Sequence, residues 1–213
     1  MGRIRKGILG GFSGKVGPVV GASWRGIDIL RSLPKKSKRP PTKEQLVQRV
    51  KFALASHFLK AIKPLISQFY GYNSGNKSRA NRAMSYHIKD AIIGVYPDFT
   101  IDYPKVIISQ GELLGPESAT VIAAPNAKLN FSWQNNSGQS QAAATDNLVI
   151  VVYEKNHNTF EYRMEAAKRS ATSCVMTLPA YYTGKKVQTW ITFVSDDGKM
   201  AANSIYMGEI LVE

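Results

Sequence analysis

Cysteine and histidine are scarce in this sequence, which has a single cysteine, Cys174, and three histidines, His57, His87 and His157. One cysteine excludes an intramolecular disulfide and a cysteine-based zinc site within one chain. The histidines lack the spacing of metal ligands, and no carboxylate cluster accompanies them. We therefore expect no metal and no other cofactor, with the histidines at surfaces or interfaces and Cys174 as a small apolar residue of a strand.

Long apolar runs are also missing. No stretch approaches the roughly 18–20 apolar residues that a membrane-spanning helix requires. The basic start at Arg3 and Arg5 is followed by a stretch that Ser13, Lys15 and Pro18 interrupt, which does not fit a secretory signal. We expect no transmembrane segment, and a cytoplasmic, virion-associated or otherwise exported location all remain open.

Catalytic signatures are absent as well. Residues 10–16, Gly-Gly-Phe-Ser-Gly-Lys-Val, invite comparison with a phosphate-binding loop. That loop needs a glycine five residues before its Gly-Lys pair and a hydroxyl residue after it, but Leu9 and Val16 occupy these positions. No nucleophile-elbow pattern occurs elsewhere. The sequence therefore predicts a protein that is not an enzyme, without catalytic or cofactor-binding residues.

Acidic residues are rare in the first half of the chain. Residues 1–110 hold 20 Lys and Arg against 5 Asp and Glu, whereas residues 111–213 hold 8 against 10. A basic half favours a polyanionic partner, such as nucleic acid, an anionic membrane surface or an acidic protein patch. Solubility, or attraction between the basic and acidic halves of neighbouring copies, explains the same asymmetry.

Residues 1–41 have the composition of a basic arm and linker. Eight of the 17 glycines lie in the first 40 residues, which disfavours a regular helix. A purely disordered tail would carry fewer apolar residues. We predict an extended or hairpin-like arm that packs on its own body or on a neighbouring subunit, followed by a proline-stiffened linker at 34–41. The candidate assembly residues of the arm are Ile8, Leu9, Phe12, Val19, Val20 and Trp24.

Residues 42–95 have the pattern of a helical hairpin. Thr42 and Gln45 have the spacing of a capping box, and apolar residues then recur three or four apart as far as Phe69. Pro64 should kink this helix or end its regular part. A second helix is predicted from about Ser78 to Ile93, with Gly94 as its C-terminal cap.

Residues 96–213 change to the two-residue period of strands. The predicted strands are Val106–Ser109, Thr120–Ala123, Leu129–Trp133, Leu148–Tyr153, Phe160–Met164, Cys174–Leu178, Val187–Val194 and Ser204–Leu211. Alternation at 129–133, 160–164 and 187–193 indicates strands with one wet face. The fold class is therefore α+β: a basic glycine-rich arm, a helical hairpin and an antiparallel sandwich resembling immunoglobulin or fibronectin type III domains.

Basic residues together with aromatic ones give the remaining functional signal. They could neutralise phosphates, or they could simply form a solvated face. The candidate polyanion contacts are Lys35, Lys36, Lys38, Arg39, Lys77, Arg79 and Arg82.

The N-terminal sequence also carries a resemblance. Residues 6–21, Lys-Gly-Ile-Leu-Gly-Gly-Phe-Ser-Gly-Lys-Val-Gly-Pro-Val-Val-Gly, are followed by Trp-Arg-Gly at 24–26 and Arg-Ser-Leu-Pro at 31–34. In these motifs the chain resembles a family of Bacteroidota proteins of unknown function and similar length. The resemblance implies a bacterial or phage source, and it implies no activity and no site residue.

Three functions follow as hypotheses. The first is a non-enzymatic protein that self-assembles as a component of a virion, filament or surface layer, with its arm ordered at subunit contacts and itself as partner. The second is nonspecific nucleic-acid binding by the basic half. The third is an adhesin or carbohydrate-binding sandwich, which would expose Tyr181 and Tyr182 in a loop.

Overall fold

The computed structural model describes residues 3–4, 10–24, 26–35, 39–73 and 77–213, with only the backbone described at 3–4. The chain divides into two compact units, Met1–Thr42 and Lys43–Glu213. We call them the N-terminal unit and the body. Ile8, Leu9, Lys36 and Lys38 lie outside the described residues.

The N-terminal unit is a four-stranded antiparallel sheet in sequence order. Its strands are β1 (Arg3–Ile4), β2 (Phe12–Val16), β3 (Val19–Trp24) and β4 (Ile27–Ser32). Gly17 and Gly26, in the two tight turns of this meander, have φ values of 56° and 83°. Glycine adopts this left-handed conformation without steric cost, which explains why a glycine-rich segment forms hairpins here.

The body begins with three helices, α1 (Lys43–Ala61), α2 (Lys63–Phe69) and α3 (Arg79–Asp90). Pro64 is near the start of α2, where its missing amide donor is tolerated, so the predicted interruption of the long helix is confirmed. Ser78 caps α3 by accepting a hydrogen bond from the amide of Asn81 at 3.3 Å. These helices form because each has one apolar face that the rest of the body buries.

The remaining strands of the body form a small hairpin and two larger antiparallel sheets. The hairpin pairs β5 (Ile92–Val95) with β6 (Asp98–Ile101). The larger sheets have the orders β11-β8-β7 and β10-β9-β12-β13, with β7 (Glu117–Ala124), β8 (Lys128–Gln134), β9 (Asn147–Glu154), β10 (Thr159–Arg163), β11 (Ser173–Thr177), β12 (Lys186–Val194) and β13 (Ile205–Leu211). The α+β class with an antiparallel, sandwich-like arrangement is confirmed.

In the body, the four-stranded sheet β10-β9-β12-β13 is the middle of three layers. Val151 and Trp190 on one of its faces belong to a core with Phe58 of α1. Ile150 on the other face belongs to a core with Phe131 of the three-stranded sheet. The prediction of one wet face is therefore wrong for β12, where all residues except the first are buried.

Two other local predictions are also wrong. Gly94 does not cap α3, because the helix ends at Asp90 and Gly94 pairs with Phe99 inside the hairpin. A Cβ on Gly94 would lie 2.3 Å from the carbonyl oxygen of Asp98, so close strand contact explains this glycine. Val106–Ser109 is not a strand: its backbone groups bond singly, as when Ser109 accepts from the amide of Ser204 at 3.0 Å.

A buried ion pair ties together loops at the edge of the three-stranded sheet. Arg169 is fully buried, and its Nη2 lies 2.9 Å from Oδ2 of Asp146. Its guanidinium also donates to Oδ1 of Asn136 at 2.6 Å and to the carbonyl of Leu114 at 2.8 Å. The same group lies 4.0 Å from the ring centre of Phe193. The guanidinium therefore has polar partners around its edge and an aromatic ring against its face. A buried charge is tolerated only when it is paired and hydrogen-bonded in this way.

Candidate functional sites: an apolar sheet and a basic groove

The N-terminal sheet exposes apolar side chains on both of its faces. Trp24 pairs with Ile27 across the second hairpin, so both side chains lie on one face. Leu30 pairs with Gly21 and lies on the opposite face. Ile27 is 55% exposed and Leu30 is 69% exposed. All six residues of β4 are exposed, so within the described part of the N-terminal unit no apolar layer covers β4.

Phe12 packs against Gly21 within the N-terminal sheet. It is half-buried, and a Cβ added to Gly21 would lie 2.7 Å from its ring and 2.2 Å from its carbonyl oxygen. Glycine at position 21 therefore leaves the Phe12 ring the space that a side chain would fill. Val19 and Val20 are half-buried, and Trp24 is 46% exposed. The predicted arm residues that the structure describes thus belong to one sheet.

The predicted basic residues divide between the two units. Lys35 and Arg39 belong to the N-terminal unit and are exposed. Lys77, Arg79 and Arg82 belong to the body, at the start of α3. The structure gathers these last three around a groove, and it adds Tyr72, Gln110 and Lys199, which the sequence pattern did not single out. We call this feature the basic groove and define it by Tyr72, Lys77, Arg79, Arg82, Lys89, Gln110 and Lys199.

The basic groove consists of two adjoining hollows. The first has a volume of about 390 Å³ and is lined by Arg79, Arg82 and Lys199 among others. The second has a volume of about 450 Å³ and is lined by Lys77, Arg82 and Lys89 among others. Because Arg82 and Gln110 line both, the two hollows lie side by side. One acidic residue lines each hollow, Glu112 in the first and Asp90 in the second.

Backbone hydrogen bonds hold the walls of the groove together. The amide of Gly71 donates to the carbonyl of Gln110 at 2.6 Å, and the amide of Gln110 donates to Phe69 at 3.0 Å. On the other side, the amide of Leu113 donates to Ala201 at 3.2 Å. A Cβ on Gly111 would lie 2.1 Å from the carbonyl oxygen of Ala201, so glycine is needed for this approach. Three distant chain segments therefore meet in a fixed arrangement.

The arginines of the groove are oriented by backbone and aromatic groups. Arg79 donates through Nη1 to the carbonyl of Gln68, and its Nε is buried without a hydrogen-bond partner among the described residues. Arg82 lies against the ring of Tyr72, with 5.1 Å between the guanidinium carbon and the ring centre. Neither arginine, nor Lys77, forms an ion pair with another described residue. Their charges are therefore available to a ligand.

Behind the groove, the core buries His87. Its Nδ1 lies 2.8 Å from the carbonyl of Ala83, and its Nε2 is buried without a hydrogen-bond partner among the described residues. Burial lowers the pKa of His87, and the hydrogen bond to Ala83 opposes this only in part. Burial likewise raises the pKa of neighbouring Tyr70. The imidazole is therefore a core residue, and the predicted surface or interface position is wrong for His87.

Cys174 and His157 also have structural explanations. Burial raises the pKa of the Cys174 thiol, which donates to the carbonyl of Ala166 at 3.3 Å. His157 contacts Glu154 with 2.5 Å between Nδ1 and Oε2. Although burial favours the neutral acid, hydrogen bonds from His157 and from the amide of Asn156 lower the pKa of Glu154. No cluster among the described residues has the ligands to hold a metal ion.

The sequence of residues 11–208 matches the model of a family of unknown function, DUF6266. The chain belongs to this family. The matched region of the DUF6266 chain includes β2, β3 and β4 as well as the whole basic groove, so both candidate sites lie within the family region. No curated protein shows significant similarity to the DUF6266 chain. In the described part of this DUF6266 protein, no helix is long and apolar enough to cross a membrane.

Proposed function

We propose that the DUF6266 chain is a non-enzymatic structural protein that self-assembles, with its N-terminal sheet covered by a neighbouring copy. The observation that carries this proposal is the exposure of apolar side chains on both faces of that sheet. Sheets of this size need an apolar face that is covered by another layer to be stable. A virion, filament or surface assembly of a bacterial or phage source is the context that we propose.

Charge favours a second copy as the covering layer. Residues 1–42 carry ten Lys and Arg and one acid, Asp28, whereas residues 111–213 carry more acids than bases. The segment 111–213, with 8 Lys and Arg against 10 Asp and Glu, therefore offers the basic sheet of a neighbouring copy a surface of opposite sign. In addition, β4 is an edge strand, and an edge strand offers unpaired backbone groups to a neighbouring chain.

The carbohydrate-binding alternative has less support. It required Tyr181 and Tyr182 to be presented together in an exposed loop. Tyr181 is exposed, but Tyr182 is fully buried and its hydroxyl bonds to Thr159 at 3.3 Å. Tyr182 therefore fills the core and cannot present its ring to a sugar.

The test measures the molar mass of the purified full chain by size-exclusion chromatography with light scattering. We expect a mass several times that of one chain, and a mass near one chain for the double variant I27S/L30S. Ile27 and Leu30 lie on opposite faces, and each contributes about 1.5–3 kcal/mol if neighbouring copies bury both faces of the sheet. Their joint loss should weaken association by at least about 100-fold.

A matched variant tests whether any exposed apolar pair would act alike. Ile93 and Val95 are exposed apolar residues of β5 in the body, and I93S/V95S should leave the mass unchanged. Loss of assembly in both double variants would show that assembly depends on exposed apolar residues in general and not on the N-terminal sheet. A single-chain mass for the unaltered protein across a broad concentration range would refute self-assembly.

A further inference from the structure

The basic groove contains cationic side chains that form no ion pair with any described residue. Lys77, Arg79 and Arg82 have no ion pair with any described residue, and Lys199 is paired with exposed Asp197 at 3.0 Å. Arg79 and Arg82 also lie in the first turn of α3, where no acidic residue is present. The N-terminus of a helix is the positive end of its dipole, so cations there are repelled and anions are stabilised. An anion bound in the groove would relieve both unfavourable interactions.

The shape of the groove indicates an extended anion rather than a single small one. Its two hollows share Arg82 and Gln110, and cations line both of them. Lys199 lines the first hollow, and Lys77 and Lys89 line the second. A chain of regularly spaced phosphates matches a path of cations, because each phosphate can contact a different side chain.

An exposed aromatic ring distinguishes nucleic acid from an acidic peptide. Tyr72 borders the first hollow, is 63% exposed, and has Arg82 against its ring. Proteins that bind single strands without sequence preference combine a basic groove with aromatic side chains on which bases stack. The amides of Gln68, Gln110 and Asn203 also line this hollow and could donate to phosphate or base oxygens.

We propose that the basic groove binds single-stranded nucleic acid, with Lys77, Arg82 and Lys199 contacting phosphates and Tyr72 stacking on a base. Arg79 positions the wall by its hydrogen bond to Gln68 and adds to the local charge. This site lies in the body and is independent of the N-terminal sheet, so it does not rest on the self-assembly proposal. Assembly and binding can therefore fail separately.

The experiment measures binding of a fluorescein-labelled oligothymidylate of about 12 nucleotides by fluorescence anisotropy, over a series of salt concentrations. The full chain is used throughout. We expect the variant K77Q/R82Q/K199Q to bind at least tenfold more weakly than the unaltered protein near 100 mM salt. Its logarithmic salt dependence should be less steep by about 2, since each phosphate contact of a single strand contributes roughly 0.7.

The matched control removes the same charge elsewhere. K128Q/K155Q/K186Q replaces three exposed lysines, of which Lys186 is paired with Glu209 at 3.0 Å, just as Lys199 is paired with Asp197. We expect this control to keep the affinity and the salt dependence of the unaltered protein. Equal losses in the two triple variants would show that binding depends on overall charge, and they would overturn the assignment to the groove.

Tyr72 gives a readout that charge alone would not change. Y72A should weaken binding by between about fivefold and 100-fold without altering the salt dependence, because it removes base stacking and no phosphate contact. Y181A is its control, since Tyr181 is also exposed and has Lys185 at 5.3 Å from its ring. Competition by polyglutamate as strongly as by the unlabelled oligonucleotide would overturn the nucleic-acid assignment, as would an unaltered affinity in Y72A.

Discussion

Two strands of this protein both contain apolar residues, three of six in β4 and six of eight in β9, but they have opposite surroundings. β4, Ile-Asp-Ile-Leu-Arg-Ser, is exposed at all six positions, whereas β9, Asn-Leu-Val-Ile-Val-Val-Tyr-Glu, is buried at all eight. β9 is the second strand of a sheet covered by helices on one face and by a second sheet on the other. β4 is the edge of a sheet in a separate unit. β9 is more apolar than β4 and is covered on both faces, so its burial reflects both its sequence and the layers that pack over it.

This comparison locates the stability of the chain in the body. Its two cores contain nearly all the fully buried large side chains, and its loops are joined by the Arg169 network. The N-terminal sheet, by contrast, contributes surface that needs a partner. Substitutions in the body should therefore change the free energy of unfolding, and substitutions in the N-terminal sheet should change association.

The largest effect is expected from R169M. It removes the guanidinium and leaves the Asp146 carboxylate buried beside two other unpaired acceptors. Breaking one side of such a buried pair costs about 3–5 kcal/mol. Urea unfolding followed by tryptophan fluorescence should show this loss as a lower midpoint with an unchanged slope.

The neighbouring residue provides the control for this prediction. Lys168 contacts Asp196 at 2.6 Å, and both side chains are exposed. K168M should therefore leave the urea midpoint close to that of the unaltered protein, because exposed ion pairs contribute little. A midpoint for R169M equal to that of K168M would mean that the Arg169 network does not stabilise the body.

A matched pair of leucines tests the two regions directly. Leu129 in β8 is fully buried, so L129A should reduce the free energy of unfolding by about 2–5 kcal/mol. Leu30 is exposed, so L30A should change it by no more than about 0.5 kcal/mol. Both are measured by urea unfolding of the separated single-chain species. An effect of L30A as large as that of L129A would show that the N-terminal sheet has a core of its own.

Strands with one solvent-exposed face are predictable from sequence because their apolar and polar residues alternate. In β8, Leu129, Phe131 and Trp133 are buried and the residues between them are exposed, as the sequence predicts. β12 also alternates in sequence, but it has no exposed face beyond its first residue. Its Gln188 and Thr192 are buried yet hydrogen-bonded, for example from Thr192 Oγ1 to the carbonyl of Ala202 at 3.1 Å. Polar residues that find partners inside a three-layer body have the same local pattern as solvated ones.

The basic groove shows the same limit. Charge clustering in the sequence singled out Lys77, Arg79 and Arg82. Lys77 precedes α3, and the two arginines lie in its first turn. Lys199 and Gln110 reach the groove only because distant segments bond to each other, and no local pattern marks them. A motif search finds residues that are close in sequence. A site assembled by tertiary contacts needs the fold.

The smallest effect is expected from pH, through His87. In the unfolded chain a histidine takes up a proton near pH 6.5. Burial lowers the pKa of His87 in the folded protein, so below that pH the unfolded state binds more protons than the folded state. The free energy of unfolding should therefore fall between pH 7 and 5, by at most about 1.4 kcal/mol per pH unit. Above pH 7 this contribution is fully present.

Two leucine variants separate His87 from other titrating groups. H87L cannot take up the proton, so its free energy of unfolding should vary less between pH 7 and 5 than that of the unaltered protein. His57 on α1 is exposed, and H57L should keep the pH dependence of the unaltered protein. The measurement is urea unfolding at pH 7, 6 and 5 for all three proteins. Identical curves for H87L and H57L would show that protonation of the buried histidine does not oppose folding.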